Sequence, residues 1–545
     1  MDIKTKKQRS ENMSRIKSRD TGPELVLRDA LESNGIIDFE THTNNIPGRP
    51  DLYFQNQKCA VFIDGCFWHA CPDCFREPKT NKKFWRSKIE SNIQRDVVVN
   101  KDLKSLGIKV IRIKEHSIQK DRSAVVKTLS KELSKQVNPT VLDLFAGAGG
   151  LSEGFIRSGY ELIGHIEMDK ESCSTLTTRM LYHALRKRNI LDKYKHYLLG
   201  KVTREQLIEE HKLNEECDTV ICAKIEEDSY KDLISKVKDR LKQKSLDIIV
   251  GGPPCQAYSN IRRHGNSEKL RADERNYLYK YYVEFLKDLQ PKIFLFENVP
   301  GLTSAGNGDY LRDMRKLMSV AGYTTDYKIL NAADYGVPQN RKRVILLGWR
   351  KDSKLKSYPD FPTVTRNYNV KDFFSDLPKI NAGGGIIIGE YAKDNMLLEK
   401  LGIKNKKDDI LLDHVARPNT AKDLEIYRLA VITKQNGGNI RYNLLPKRLK
   451  TQKNEGAFLD RFKVVDENAA GSHTIVAHIA KDGHYYIHPD LKQNRSLTVR
   501  EAARLQTFSD DYKFEGKRTA QFRQIGNAVP PMFAEIIAKE LIKYI

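Results

Sequence analysis

The sequence has no run of about 18 consecutive apolar residues, so no membrane-spanning helix and no membrane partner are expected. Its start, MDIKTKKQRSENMSRIKSRD, is charged and lacks an apolar core, unlike a secretory signal. Cysteine is scarce, at eight in 545 residues, which argues against a disulfide framework. No internal repeat and no long low-complexity tract is visible. Acidic residues are outnumbered, 71 against 94 Lys and Arg, for a net charge of +23. That balance favours a polyanionic partner, a nucleic acid or an anionic membrane surface, although a solvated lysine-rich surface would give the same charge. Hydrophobic residues make up 39%, enough to bury real cores, and the length implies two domains or more.

Residues 1–120 read as one α/β domain, with a helix over 23–32, strands near 51–54, 58–64 and 109–113, and a basic helix over 82–106. Residues 121–139 are expected as a linker, which could be a polar helix, closed by the turn signal Asn138-Pro139. From 140 onward apolar strands alternate with helical patterns: TVLDLF, ELIGHIE, DTVICA, DIIVGG, KIFLFEN and RVILLG. Alternation of this kind marks a doubly wound, Rossmann-like sheet. Its catalytic domain is expected over 140–351, with a charged insertion at 180–245. The irregular, Gly-rich and basic stretch 352–490 reads as a target-recognition domain, and 491–545 return to the α/β pattern.

The turn after the first of these strands is rich in glycine: Gly147, Gly149 and Gly150, followed by Leu151. Such a turn lets backbone approach a ligand, and Glu167, about 20 residues on, ends the next strand where an acid can bind ribose hydroxyls. The spacing is not that of dinucleotide binders, so an adenosine-type cofactor other than NAD is expected. Cys255 lies just past a strand in GGPPCQAYS, a loop stiffened by two prolines. Glu297 in FENV and Arg341 and Arg343 in QNRKR lie at other strand ends, so a thiol, a carboxylate and guanidinium groups can converge at one sheet edge.

Residues 140–545 resemble the cytosine-5 DNA methyltransferase family through DLFAGAGG, GGPPCQAYS, FENVPG, QNRKR, LTVREAARLQTF and QIGNAVPP, in the family's order. The resemblance implies a flipped cytosine in double-stranded DNA, attacked at C6 by Cys255 and methylated at C5 from S-adenosylmethionine. Glu297 would hold the base at N3 and the exocyclic amine, and Arg343 with Arg341 would orient it. Phe145 would stack on adenine and Glu167 would bind ribose. Gly147, Gly149, Gly150, Leu151, Met168, Pro254, Asn527 and Val529 would complete the cofactor pocket. The family's acidic adenine contact on the third strand has no obvious counterpart.

In the N-terminal domain, Asp51 and Asp64 on neighbouring strands suit a divalent metal. Cys66, Cys71 and Cys74, with His116 as a distant fourth ligand, suit structural zinc. Phe67 and Trp68 are either core residues or a wedge between base pairs. RSENMSRIKSRDTGPE, IPGRPDLYF, VFIDGCFWHACP, FWRSKIESNIQRD and GIKVIRIKEHSI resemble the very-short-patch-repair endonuclease family, of restriction-endonuclease-like fold. This implies nicking beside a T·G mismatch: Asp51 binding Mg2+, His69 as general base, Glu24 assisting at the metal and Phe67 and Trp68 intercalating. The second Mg2+ ligand would be Asp64 or the Ile63 carbonyl. A restriction nuclease cutting unmodified DNA, or an inactive DNA-binding module, are the alternatives. Both resemblances imply a monomer in the bacterial cytoplasm, associated with the nucleoid. A Cys255→Ser chain is expected to bind cofactor and lose methyl transfer; normal transfer of labelled methyl to DNA would sink the thiolate mechanism.

Overall fold

The computed structural model describes residues 19–34, 36–37, 39–55, 57–78, 81–106, 108–134, 138–242, 244–254, 277–405, 410–451 and 454–545. The chain divides into two compact units, Met1–Asn138 and Pro139–Ile545. No helix among the described residues is long and apolar enough to cross a membrane.

The first unit is built on a four-stranded sheet, β1 (Glu40–Thr41), β2 (Leu52–Phe54), β3 (Cys59–Asp64) and β4 (Lys109–Lys114), in that order. Alternating side chains point to opposite faces of a strand, and the sheet is buried on both. Leu52, Phe54, Cys59 and Val61 face one cluster with Leu27 and Leu31 of the helix Gly22–Ser33, while Tyr53, Ala60 and Phe62 face a second with Leu103. The segment expected as a linker or polar helix is a helix, Arg122–Ser134, and it belongs to the first unit, its Val126, Leu129 and Leu133 joining the first cluster. Its apolar stripe at spacings of three and four is narrow, and the charged residues around it hid it in the sequence.

The second unit holds a seven-stranded sheet. Its strands are β5 (Thr140–Leu144), β6 (Glu161–Glu167), β7 (Val220–Cys222), β8 (Ile248–Gly251), β9 (Ile293–Asn298) and β10 (Tyr323–Asn331), then, after the short β11 (Gln339–Asn340), β12 (Lys342–Arg350). The order is β10-β12-β9-β8-β5-β6-β7, parallel except where β12 pairs antiparallel with β9 and β10. Leu142, Ile249, Phe294 and Leu346 face one apolar layer; Val141, Ile248, Val250, Leu295 and Leu347 face the other, which the last helix, Pro531–Leu541, helps to cover. Winding reverses between β5 and β8, and a crevice opens at the carboxyl ends of such neighbours. The region expected as an insertion, 180–245, begins inside the helix Lys170–Lys187 and contains β7, an integral edge strand. Only short helices between them, around Leu207 and Leu213, form a separate layer.

Three arginines bind the irregular region to the final segment. Arg495, paired with Glu501 at 2.7 Å within the final segment, donates to the Ile380 carbonyl at 3.1 Å, and Arg500 donates to the carbonyl of Leu412 as well as to those of Ser509 and Tyr512. Arg504, wholly buried, bridges Asp376 at 2.6 Å and Asp510 at 2.7 Å. Deleting one partner of a buried pair strands the other charge at a cost of about 3–5 kcal/mol, whereas an exposed pair contributes about 0–1 kcal/mol. Arg504→Met is therefore expected to lower the urea midpoint of the second unit far more than Arg448→Met, which removes an exposed pair with Glu425. Equal midpoints for the two variants would refute the role given to Arg504.

Candidate functional site

A cleft of about 2650 Å3 in the second unit is lined by residues at the carboxyl ends of β5, β6, β8 and β9. The glycine turn after β5 forms one wall. Phe145 adopts φ +57°, costly for a bulky side chain, and lines the cleft with Gly147 and Gly150. Gly150 is required by close approach, because a Cβ there would lie 2.2 Å from the Val529 carbonyl oxygen. Glu167 closes the turn from β6: its carboxylate accepts from the amides of Gly147 at 2.8 Å, Met168 at 2.9 Å and Asp169 at 2.8 Å. Leu151, Met168, Pro254, Asn527 and Val529 also line the cleft. Gly149 (φ +75°) caps the helix Gly150–Arg157 behind them.

On the far wall, Glu297 at the end of β9 and Arg343 on β12 form a largely buried ion pair at 2.7 Å. Ladder pairing of β9 with β12 brings the two positions together. Arg341 also lines the cleft, but its guanidinium donates to the carbonyls of Ile475 at 2.7 Å and Gly526 at 3.3 Å. It braces the wall, and Arg343 is the arginine beside the carboxylate. Cys255 lies outside the described residues; Pro254, its chain neighbour, lines the cleft. Asn298, given no role from sequence, holds the proline loop by donating to the Pro253 carbonyl at 3.2 Å. Beyond β7, Lys224 and Glu226 line the cleft as an ion pair, where an acidic adenine contact was sought.

In the first unit, Asp51 accepts from the Ile63 amide at 2.7 Å. Burial, with the like charge of Glu24 nearby, pushes its carboxyl up to about 6. A partly buried acid lifted in this way is one that a cation would stabilise. Glu24 is buried at the start of its helix, accepting from Thr21 Oγ1 at 2.8 Å and the Asp20 amide at 2.9 Å. Asp64, one of the two expected second ligands, is engaged by Arg112 at 2.7 Å and Lys114 at 3.0 Å, one cation to each oxygen. Asp64, His69 and Asp96 lie close enough to hold an ion, yet those two cations already neutralise Asp64. His69 Nδ1 meets Asp96 Oδ2 at 2.6 Å. Asp96 sits on the helix Lys82–Ser105, and nothing in its local sequence singled it out.

Phe67 and Trp68 are half-buried and pack with Trp85, their ring centroids 5.2 and 5.9 Å from it. Lys88 stands over Trp68 at 5.6 Å. Nearby, the sulfurs of Cys66, Cys71 and Cys74 lie 3.2, 3.5 and 3.4 Å from His116 Nδ1. A tetrahedral zinc with bonds of about 2.3 Å to sulfur and about 2.0 Å to nitrogen puts such atoms about 3.5 Å apart, so the donor set fits that ion.

Residues 139–200 and 204–543 match the family model of C-5 cytosine-specific DNA methylases, and residues 1–76 match that of the DNA mismatch endonuclease Vsr. The type II methyltransferase M.Bpa9945I of Bacillus paralicheniformis is 40% identical over 73% of this chain and 97% of its own length. The type II methyltransferase M1.HphI of Haemophilus parahaemolyticus is 30% identical over 76% of this chain and 90% of its own. Among solved structures, a putative DNA modification methyltransferase encoded within an E. coli prophage has the same fold, with a TM-score of 0.50 at 24% identity, over 75% of this chain and 99% of that one. The chain therefore belongs to the C-5 cytosine-specific DNA methylase family and carries a mismatch-endonuclease Vsr domain, of restriction-endonuclease-like fold, in front of it. It is a DNA (cytosine-5)-methyltransferase with an endonuclease domain.

The cysteine and histidine cluster generates its own test. Purified chain is expected to hold one equivalent of zinc by elemental analysis. Cys71→Ser should lose it and lower the melting temperature of the first unit; a metal-free chain of undiminished stability would exclude the site.

Proposed function

We propose that the chain methylates cytosine at C5 in a defined DNA sequence, using S-adenosylmethionine, and that its first unit is a Mg2+-dependent endonuclease that nicks beside T·G mismatches. The reading of the second unit rests above all on the Glu297–Arg343 pair, which faces the same cleft as the glycine turn and Pro254. Arg343 holds Glu297 in place at 2.7 Å, and the carboxylate oxygens can accept from the exocyclic amine and from a proton at N3 of a flipped cytosine. Cys255 adds as thiolate to C6, which makes C5 nucleophilic. Bound S-adenosylmethionine supplies the methyl group that C5 takes. A base then removes the C5 proton, and Cys255 leaves as C5 and C6 regain their double bond. The turn from Phe145 to Leu151, with Glu167, Met168, Asn527 and Val529, would hold the cofactor.

In the first unit, Asp51, with Glu24 nearby, would hold Mg2+, and His69, oriented by Asp96, would draw a proton from the attacking water. Zinc on Cys66, Cys71, Cys74 and His116 would fix the loop that carries Phe67 and Trp68. Those rings, backed by Trp85, would enter the mismatched step. The two units then share one chemistry. Deamination of 5-methylcytosine leaves thymine opposite guanine, so the methylase creates the lesion that the endonuclease begins to repair. The chain would act as a monomer.

Bisulfite sequencing of DNA from cells expressing the chain is expected to give one methylated motif. A duplex of that motif with T·G at the methylated position should be nicked on the T strand with Mg2+, and Asp51→Ala should abolish nicking. Equal cleavage of matched, unmodified duplex would replace repair with restriction.

A further inference from the structure

Cys173 and Cys222 take no part in the chemistry above, yet both lie against residues of the cleft wall. Cys222 ends the edge strand β7 and pairs across the ladder with Glu167, the residue that holds the glycine turn. Cys173 stands near the start of the helix Lys170–Lys187, and its thiol donates to the Glu167 carbonyl at 3.3 Å. The two thiols thus converge on one residue, one from a helix and one from a strand. They are also in hydrogen-bonding contact with each other.

Their surroundings differ. Cys173 is 6% exposed, whereas Cys222 is, outside the three-cysteine cluster, the one exposed thiol among the described residues. A buried cysteine commonly serves as a small apolar filler. That accounts for Cys173 but not for an exposed thiol set against it. Burial, and after it the neighbouring Cys222, pushes the Cys173 thiol up, so it stays protonated and unreactive on its own. Solvent reaches Cys222, so an oxidant meets that sulfur first. A reachable thiol with a second one beside it is the arrangement of a redox-sensitive pair, one thiol oxidised and the other resolving.

We infer that Cys173 and Cys222 are a modification site for peroxides, closing to a disulfide that weakens cofactor binding. The Cys222 sulfur attacks one oxygen of hydrogen peroxide, the O–O bond breaks, and the departing hydroxide takes the Cys222 proton as water. This leaves Cys222 as a sulfenic acid. The Cys173 sulfur then attacks the Cys222 sulfur, the S–S bond forms and the S–O bond breaks. The hydroxide that leaves takes the Cys173 proton as a second water. The two thiols together lose two electrons, and the peroxide gains them.

The effect on the cofactor rests on the S-adenosylmethionine reading. Bonded sulfurs lie closer than hydrogen-bonded thiols, so closure draws the start of the helix and the end of β7 together. The residues carried along are Met168, Asp169 and Ser172 on one side and Ala223 on the other, all on the cleft wall. The Glu167 carbonyl loses its S–H donor and keeps the Ala223 amide at 2.8 Å. The carboxylate of the same residue holds the amides of Gly147, Met168 and Asp169 and is where ribose is expected, so a shift there reaches the cofactor directly.

The test takes the full chain with Cys255→Ser, which removes the reaction-centre thiol, before and after treatment with hydrogen peroxide. Peptide mapping is expected to show the segments carrying Cys173 and Cys222 joined and two hydrogens lighter, and separated again by dithiothreitol. Cys222→Ser should show no such link to Cys173. Peroxide that leaves Cys173 a free thiol, or carries Cys222 to sulfinic acid without the link, overturns the site. Calorimetric titration with S-adenosylhomocysteine should give an affinity about tenfold lower in the linked chain, restored by the reductant. The same treatment should leave the affinity of Cys222→Ser unchanged, which separates the disulfide from damage elsewhere. Equal affinity of linked and reduced chains, or an equal loss in Cys222→Ser, overturns the coupling. No binding even to the reduced chain overturns the S-adenosylmethionine reading and the coupling with it, while the disulfide itself stands or falls on the mapping.

Discussion

Arg504, without exposed surface, is held by two carboxylates, Asp376 within the second unit's irregular region and Asp510 in the final segment. The cleft depends on that closure. Residues 473–486 and 523–529 line one side of it, and the buried arginines fasten the final segment to the irregular region through the carbonyls of Ile380, Leu412 and Phe373. Arg341 repeats the device nearer the reaction centre, tying the Ile475 and Gly526 carbonyls. Buried guanidinium groups suit this work because a planar fork of donors can satisfy several carbonyls or carboxylates at once.

The cleft itself is a consequence of winding. Strands β5 and β8 are neighbours whose connections leave in opposite directions, so the loops after them diverge and a crevice remains. The glycine turn and the proline loop are those two loops. Close approach of Gly150 to the Val529 carbonyl and the Asn298 bond to Pro253 then fix both at short range. The first unit uses other means on a smaller scale. Its sheet is buried on both faces, and its polar groups gather around Asp51, His69 and the thiol cluster.

Much of this was legible before any coordinates. The six apolar runs from TVLDLF to RVILLG are all strands of the large sheet: five run parallel, and RVILLG, though antiparallel, is likewise buried on both faces, where strands read as continuous apolar segments. β10 was not among them: YTTDYKILN is an edge strand with largely exposed alternate positions, and its polar half conceals it. The core role of the helix Arg122–Ser134 is concealed for a similar reason, since three apolar residues among charges carry little signal. Cys66, Cys71 and Cys74 announced themselves by spacing; Asp96 did not, because its partner His69 is 27 residues away and the pairing is made by packing alone.

The sequence by itself determined the chemistry on offer: a thiol in a proline loop, acids at strand ends, a glycine turn and a three-cysteine cluster, each local in the chain and so carried by local spacing. Tertiary structure decided allegiance. Arg341 and Arg343 are two residues apart, yet one braces carbonyls and the other holds Glu297. Asp51 and Asp64 read as equals, yet one is half-buried with an oxygen pinned to a backbone amide, and the other is buried and neutralised by Arg112 and Lys114. Asp143, unremarked in its strand, is a buried acid with one oxygen that has no hydrogen-bond partner among the described residues. The reason is common to all three: a charged side chain's role is set by the partners and solvent left to it after packing, and those come from residues distant in sequence.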